Sequence, residues 1–335
     1  MSDQELSALM EKLNKGLEAS YEALLRKKAM LGQSVIISDG AGNPIEVSAK
    51  EALAEYLADK KITSTMEKYD ELEQYIHSQE PDTKERAAMW QTAIGMQKVD
   101  GLSVSDYLVD TAQKHIEKQV DINEAKSLIA EYYQTADRRE TISNDEEADK
   151  AAVNIVQVLS EQAFSFSVEG LAGLHRRIFQ GIFKHAGEFR KYNITKKEWV
   201  LAGDTVIYGP CEDLRQTIQY DLDQEKQFRY KGLTMDASIE HFATFIAGLW
   251  QIHPFAEGNT RTTAVFAIKY LRTIGVKVEN DMFKEHSWYF RNALVRANYR
   301  NMAKGIDPDI SYLVLFFRNL MLGENNELKN RNLHI

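Results

Sequence analysis

Apolar residues recur at helical spacing along most of this chain, and that pattern confines it to a mainly α fold. Between Asp3 and Leu31 the leucines fall at Leu6, Leu9, Leu13, Leu17 and Leu24, one stripe of an amphipathic helix. Two stretches break the pattern. In "SVIISDGAGNPIEVS", Val35, Ile36 and Ile37 form a β-rich run, "DGAGNP" is a turn cluster, and Ile45 and Val47 alternate, which predicts a small β-hairpin. "SAKE", Ser48 to Glu51, follows as a capping box at the start of a helix. In "KEWVLAGDTVIYGP", Trp199 to Leu201 and Thr205 to Tyr208 flank the turn residues Ala202, Gly203 and Asp204, which predicts a second hairpin. A lone hairpin is marginal in water, so this one must pack on the helices, and its outer edge would offer unpaired backbone groups.

From Thr63 to Tyr133 there are four helical patterns, with Asp82, Ser103 and Asp121 as N-caps of three of them and Gly101 able to end a helix. The acidic run "SNDEEAD", Ser143 to Asp149, suits a helix N-terminus, where carboxylates meet the positive end of the dipole. A helix over Asp236 to Ile252 and another from about Arg261 to Ile274, ending at Gly275, leave His253 to Thr260 as a loop. Pro254 disfavours a helical conformation at His253.

The chain has 335 residues, 44% of them hydrophobic, enough for a substantial core and for more than one domain. The net charge of −9 argues against a nucleic-acid footprint. Cys211 is the only cysteine, so no disulfide framework can form within one chain, which fits a reducing cytoplasm. The first residues, MSDQELSALMEKLNKG, read as an amphipathic helix rather than a signal peptide. No apolar run is long enough to span a bilayer.

The loop "HPFAEGNTRTTAVF" gathers residues suited to chemistry on phosphates. The helix N-terminus that follows it presents unsatisfied N–H groups and a partial positive charge. Gly258 lets backbone approach a ligand closely. Asn259 can donate to an oxygen or fix the turn. Arg261 carries a permanent charge with fork geometry for phosphate. Glu257 is a hard oxygen ligand appropriate to Mg²⁺ on phosphates, and His253 is the side chain best placed to act as a base near neutral pH. Each alone is more often structural: a packed histidine, a turn asparagine, an arginine paired with a carboxylate.

HPFAEGNTR closely resembles the Fic-domain motif HxFx(D/E)GNGRxxR, matching at His253, Phe255, Glu257, Gly258, Asn259 and Arg261. "LHRRIFQGIFKHAGEFRKYNI", Leu174 to Ile194, also looks like the Fic core, and the resemblance extends over Thr135 to Leu322. It implies a mainly α, Fic-type helical bundle whose second hairpin is the flap beside the active site. It further implies transfer of AMP from Mg-ATP to a Ser, Thr or Tyr hydroxyl of a target protein. His253 would be the base, Glu257 would hold Mg²⁺, and the backbone of Gly258, Asn259 and Thr260 would line an anion hole. Arg261 would neutralise the leaving pyrophosphate and Asn298 would contact the adenine. Lys197, Glu198, Trp199, Val200, Leu201, Thr205, Val206, Ile207 and Tyr208 would dock an extended target segment by strand addition.

Two positions depart from the motif. Thr260 stands for the second glycine of GNG. Ala264 stands for the final arginine, which in the family grips the γ-phosphate and pairs with an inhibitory glutamate. If Thr260 avoids a positive φ it can cap the following helix. The Doc branch, which transfers the γ-phosphate, departs at the same two places, so a Doc-like phosphotransferase or another nucleotidyl transfer is one alternative. A catalytically silent nucleotide- or protein-binding module is the other. Met89 to Tyr133 resembles the small VbhA-type antitoxin. Asp100, followed by Gly101, and Glu147 both fit the place of its inhibitory carboxylate, although with Ala264 in the motif each is expected to lack the usual arginine partner, so autoinhibition is expected to be weakened or lost and the segment to persist as a packed scaffold. The expected organisation is an N-terminal helix-hairpin-helix module over 1–62, read as a packing or partner unit, an antitoxin-like helical segment over 63–134, a Fic domain over 135–322 and a C-terminal tail over 323–335. ATP, Mg²⁺ and a target protein are the expected partners, with no membrane association, and a homo-oligomer is compatible with this reading.

Overall fold

In this computed structural model the described residues are 72–78, 80–134, 143–276, 278 and 282–335, with 20–21, 24–25, 27–28, 33–38, 44–49, 51–53 and 56 nearer the N-terminus. The long helix expected over Asp3 to Leu31 lies largely outside them. The chain forms two compact units, residues 1–68 and 69–335.

In the first unit the expected hairpin is present. β1 (Ser34–Ser38) pairs antiparallel with β2 (Pro44–Ser48) in the register Val35↔Val47 and Ile37↔Ile45. Alternation sends Val35, Ile37 and Val47 to one face, where they pack with Leu25, Ala49 and Ala52, while Ile36 faces solvent.

The second unit is helical. Its elements are α1 (Glu73–Ile76), α2 (Pro81–Gly95), a 3₁₀ turn (Met96–Asp100), α3 (Asp106–Ile116), α4 (Ile122–Gln134), α5 (Asn144–Ser160), α6 (Val168–Phe179), α7 (Leu214–Gln227), α8 (Met235–Ile252), α9 (Asn259–Thr273), α10 (Met282–Asn298) and α11 (Ser311–Leu322). Local sequence sets most starts. Asp121 Oδ1 accepts from Asn123 N and Glu124 N, and Glu124 Oε2 accepts from Asp121 N, a reciprocal cap on α4. Ser143 caps α5 through Glu146 N. Two expected caps move. α3 is capped by Ser105, not Ser103, because Ser105 also donates to the buried Asp149 of α5. α2 starts at Pro81, whose missing N–H suits the first helical position, so Asp82 lies inside the first turn.

α9 is buried on every side from Asn259 to Leu271 and is the central helix of this unit. Residues 81–134 are built into the same core. Gly95 brings α2 against α10 so closely that a Cβ there would stand 2.3 Å from Phe283 O. The following 3₁₀ turn packs on α9 and α10 and ends at Gly101, which has φ 70°.

The second expected hairpin does not form. Trp199–Leu201 is a 3₁₀ turn closed by Ala202 in the left-handed region (φ 51°) and Gly203 at φ 88°, and the turn is crossed by Glu198 N donating to Asp204 O at 2.9 Å and Gly203 N donating to Glu198 O at 3.0 Å, with no strand on either side. Val200 and Leu201, both expected in a strand, instead fold inward as a plug in the core, which burial of apolar surface favours over an exposed strand. Residues 330–335 pack beside this flap: Leu333 is buried, and Ile335 N donates to Val200 O at 3.1 Å.

Candidate active site

α8 delivers His253 and α9 begins six residues later, at Asn259, so the motif is a tight loop between two core helices. Pro254 stops α8, and His253 takes a left-handed conformation (φ 50°, ψ 57°). His253 Nδ1 lies 3.2 Å from Trp250 O. A carbonyl only accepts, so Nδ1 carries the proton and Nε2 the lone pair. Burial holds this imidazole well below the usual histidine range, and the charge of Lys196 adds to the effect. The ring is therefore a neutral base with its tautomer fixed. Tyr208 of the flap lies over it at 4.2 Å between centroids.

The loop is closed from within. Asn259 is spent on it: Oδ1 accepts from Phe255 N at 2.9 Å and Nδ2 donates to Phe255 O at 2.7 Å. Gly258, at φ 72°, is the N-cap position of α9, and a Cβ there would meet Phe179 Cζ at 2.3 Å, so only glycine fits. Helix α9 thus starts at Asn259, two residues before the expected Arg261. Thr260 is inside it and does not cap it; its hydroxyl accepts from Trp250 Nε1 at 3.0 Å. The first bond within the helix is Thr262 N to Gly258 O, which leaves the N–H groups of Asn259, Thr260 and Arg261 in the orphan first turn. The Glu257 side chain is 59% exposed and lies 3.3 Å from Lys196 Nζ.

Two residues that sequence reasoning did not single out hold this loop in place. Arg190, buried, donates from Nε to His253 O (2.8 Å), from Nη1 to Tyr192 O (2.7 Å) and from Nη2 to Ile252 O (3.3 Å) and Gly209 O. It satisfies the orphan carbonyls at the end of α8 with a cation, which also suits the helix dipole. His175 accepts from Gly187 N at 2.8 Å through Nδ1, so its Nε2–H donates to Glu257 O at 3.0 Å. Burial pushes this imidazole down to about 4, and it stacks on Phe255 at 3.8 Å. Both residues lie within the quoted stretch from Leu174 to Ile194, but their spacing carries no signal for main-chain bonds to a loop far along the chain.

Arg261 does not face an open site. Glu147 Oε1 lies 2.6 Å from Nη2, Gln97 Oε1 accepts from Nη1 at 2.9 Å, and Asp100 Oδ2 is 2.8 Å from Nε, an ion pair set off the N–H axis. Phe179 covers the guanidinium at 4.7 Å. With Ala264 in the motif, Asp100 and Glu147 lack the usual arginine partner as expected, but both reach the first motif arginine instead, a pairing the sequence reading did not foresee. Ala264 is fully buried in the core.

Of the flap residues, Lys197, Trp199 and Ile207 are exposed and Thr205 partly so, while Glu198, Val200, Leu201, Val206 and Tyr208 are buried. Glu198 anchors the flap through Arg291 Nη1 (2.7 Å) and the Tyr208 hydroxyl (3.1 Å). Asn298 donates to Ala247 O and Leu294 O and lines a pocket of about 270 Å³ with Thr205, Ile207 and Tyr299.

Residues 165–271 match the model of the Fic/DOC family. The chain carries a Fic/DOC domain. The protein adenylyltransferase VbhT of Bartonella schoenbuchensis is 25% identical over 158 residues, 44% of this chain and 32% of that protein, so the match spans about a third of the relative's length. The crystal structure of a Fic family protein from Desulfovibrio desulfuricans G20 superposes with a TM-score of 0.50 at 12% identity, covering 78% of this chain and 73% of that one, which shows a shared fold. Residues 1–58 match a domain of unknown function (DUF8506). The Fic/DOC match runs from Ser165 to Leu271, so Gln97, Asp100 and Glu147, which grip Arg261, all come from outside the family's core. No helix among the described residues is long and apolar enough to cross a membrane.

Proposed function

We propose that this Fic/DOC domain is a nucleotidyltransferase that moves AMP from Mg-ATP to a Ser, Thr or Tyr hydroxyl of a target protein. The observation that carries the reading is His253: a neutral imidazole, its Nδ1–H fixed on Trp250 O, placed beside the N-terminus of α9. Nε2 takes the proton of the attacking hydroxyl. Charge developing on the α-phosphate meets the N–H groups of Asn259 and Thr260. The curated relative named an adenylyltransferase supports AMP as the group transferred.

The residues present fit a nucleotide-borne magnesium ion. Among the described residues no cluster of three or more metal-ligating side chains exists, and Glu257 offers a single exposed carboxylate at the loop. That is the arrangement Mg²⁺ accepts when phosphates and water supply the other ligands. When bound, the ion neutralises phosphate charge and orients the polyphosphate. Asn298, with both amide donors spent on backbone, keeps Oδ1 as an acceptor for the amino group of adenine. Lys197, Trp199, Thr205 and Ile207 are the flap side chains that can meet a target segment.

The same geometry supports restraint. His253 is covered by Tyr208, and Arg261 is held by Asp100, Glu147 and Gln97. Binding ATP requires Arg261 to exchange carboxylates for phosphate, so Gln97 and Asp100 of the antitoxin-like segment, together with Glu147 of α5, act as an internal inhibitor, contrary to the expectation that autoinhibition is weakened or lost.

The test uses ATP labelled at the α- or the γ-phosphate, with His253→Ala as control. Label from the α-phosphate alone, lost in the variant, is the expected result. Label from the γ-phosphate alone would make the domain a phosphotransferase, the reading that the missing second arginine favours. Absence of label from either, on itself or on a lysate, would make it a binding module.

A further inference from the structure

The charges around the motif loop are almost all committed. Arg261 is bracketed by two carboxylates and a glutamine, Arg190 by main-chain carbonyls, and Arg291 by Glu198. Ala264, where the motif places a second arginine, is packed in the core and supplies no charge. A polyphosphate entering this site would find these three arginines already engaged.

Lys196 is different. It stands at the base of the flap, its N–H on Thr205 Oγ1 at 3.3 Å, with a side chain only 30% exposed. Its Nζ lies 3.3 Å from Glu257 Oε2, the carboxylate of the motif. Its charge is also the strongest of the neighbouring ones in keeping His253 neutral. The ammonium therefore sits on the carboxylate of the loop, and its charge is felt at the base. Its ion pair with Glu257 is partly exposed and at the long end of the distance range, the kind that exchanges readily.

We propose that Lys196 is the phosphate-binding cation of this site, supplying from the flap the charge that Ala264 does not supply from α9. The proposal rests on the nucleotide-transfer reading above. Glu257, once it ligates a divalent ion, no longer needs Lys196, and the ammonium turns its three donors to phosphate oxygens. Because Lys196 belongs to the flap, nucleotide and flap position become coupled: phosphate draws the base of the flap toward the loop.

Binding of Mg-ATP is measured by calorimetry on the full chain, in the wild type and in an Asp100→Ala, Glu147→Ala background that frees Arg261. Lys196→Ala is expected to weaken binding at least tenfold and Lys196→Arg less than threefold, with the exposed Lys191→Ala unchanged. Without nucleotide, the His253 ring titration followed by NMR moves upward in Lys196→Ala, because a neighbouring cation is gone. Unchanged ATP affinity in Lys196→Ala overturns the proposal. If neither background binds ATP, the nucleotide reading itself fails, and this proposal with it.

Discussion

Arg261 and Glu147 stand 114 residues apart in sequence and 2.6 Å apart in space, and the arginine belongs to the motif while the glutamate does not. The contact makes the start of α5 part of the site, and Asp100 at the end of a 3₁₀ turn completes the grip. Removing both carboxylates should therefore free Arg261 for phosphate. Asp100→Ala with Glu147→Ala is expected to raise Mg-ATP affinity at least tenfold, read by calorimetry. Each single variant should do less, because one carboxylate still holds the guanidinium. The cost is stability: stranding one member of a buried pair costs roughly 3–5 kcal/mol, so the double variant should lose more than the two singles added together.

Ala264 gives a second prediction. If its only role were to lack an arginine, Ala264→Arg would restore the family motif and tighten nucleotide binding. Its side chain is fully buried inside the central helix. An arginine there must either overpack the core or bury a charge with no partner, and either route costs several kcal/mol. The expected result is a large loss of stability in denaturant unfolding and no gain in ATP affinity.

Much of this was legible in the sequence. The hairpin over residues 34–48 was readable because both strands alternate around a turn cluster, and the motif loop because a proline and a glycine bound it. The flap misled for a physical reason. Trp199 to Leu201 has strand-like composition, but Val200 and Leu201 serve as a buried plug, and burial overrides propensity. The shift of the helix start from Arg261 to Asn259 has a similar origin: Gly258 in the left-handed region is a cap without a side chain, so nothing in the residue types marks it. The pairing of Asp100 and Glu147 with Arg261 was hidden because spacing within a motif says nothing about which of its arginines a distant helix meets.

His175 predicts a pH dependence. Its folded value lies at about 4, below the ordinary histidine value of about 6.5. The unfolded chain therefore binds more protons than the folded one across this window. The stabilisation is whole above pH 6.5 and is lost as pH falls, reaching about 3 kcal/mol by pH 4. His253 and His115 are shifted in the same direction. Asp149, which burial raises to about 6, acts oppositely, since the folded state then favours its protonation. His175→Gln keeps an acceptor for Gly187 and a donor for Glu257 but cannot titrate. Urea unfolding at pH 7 should be nearly unchanged in the variant, and its loss of stability between pH 6.5 and 4 should be smaller than in the wild type.

Arg190 offers the sharpest separation of positioning from chemistry. It holds His253 O, Ile252 O, Gly209 O and Tyr192 O, and it touches none of the groups proposed to react. Lysine keeps the charge but cannot present a planar fork to several carbonyls at once. Each buried carbonyl left unpaired costs about 1–3 kcal/mol, so Arg190→Lys should lower stability by at least about 2 kcal/mol in denaturant unfolding. It should also let the ring of His253 wander, which appears as a broadened imidazole resonance and a lower kcat, while the KM for ATP, set by Glu257, Lys196 and the start of α9, changes little. A variant with normal kcat and a sharp His253 resonance would show that Pro254 and Trp250 fix the base without help from Arg190.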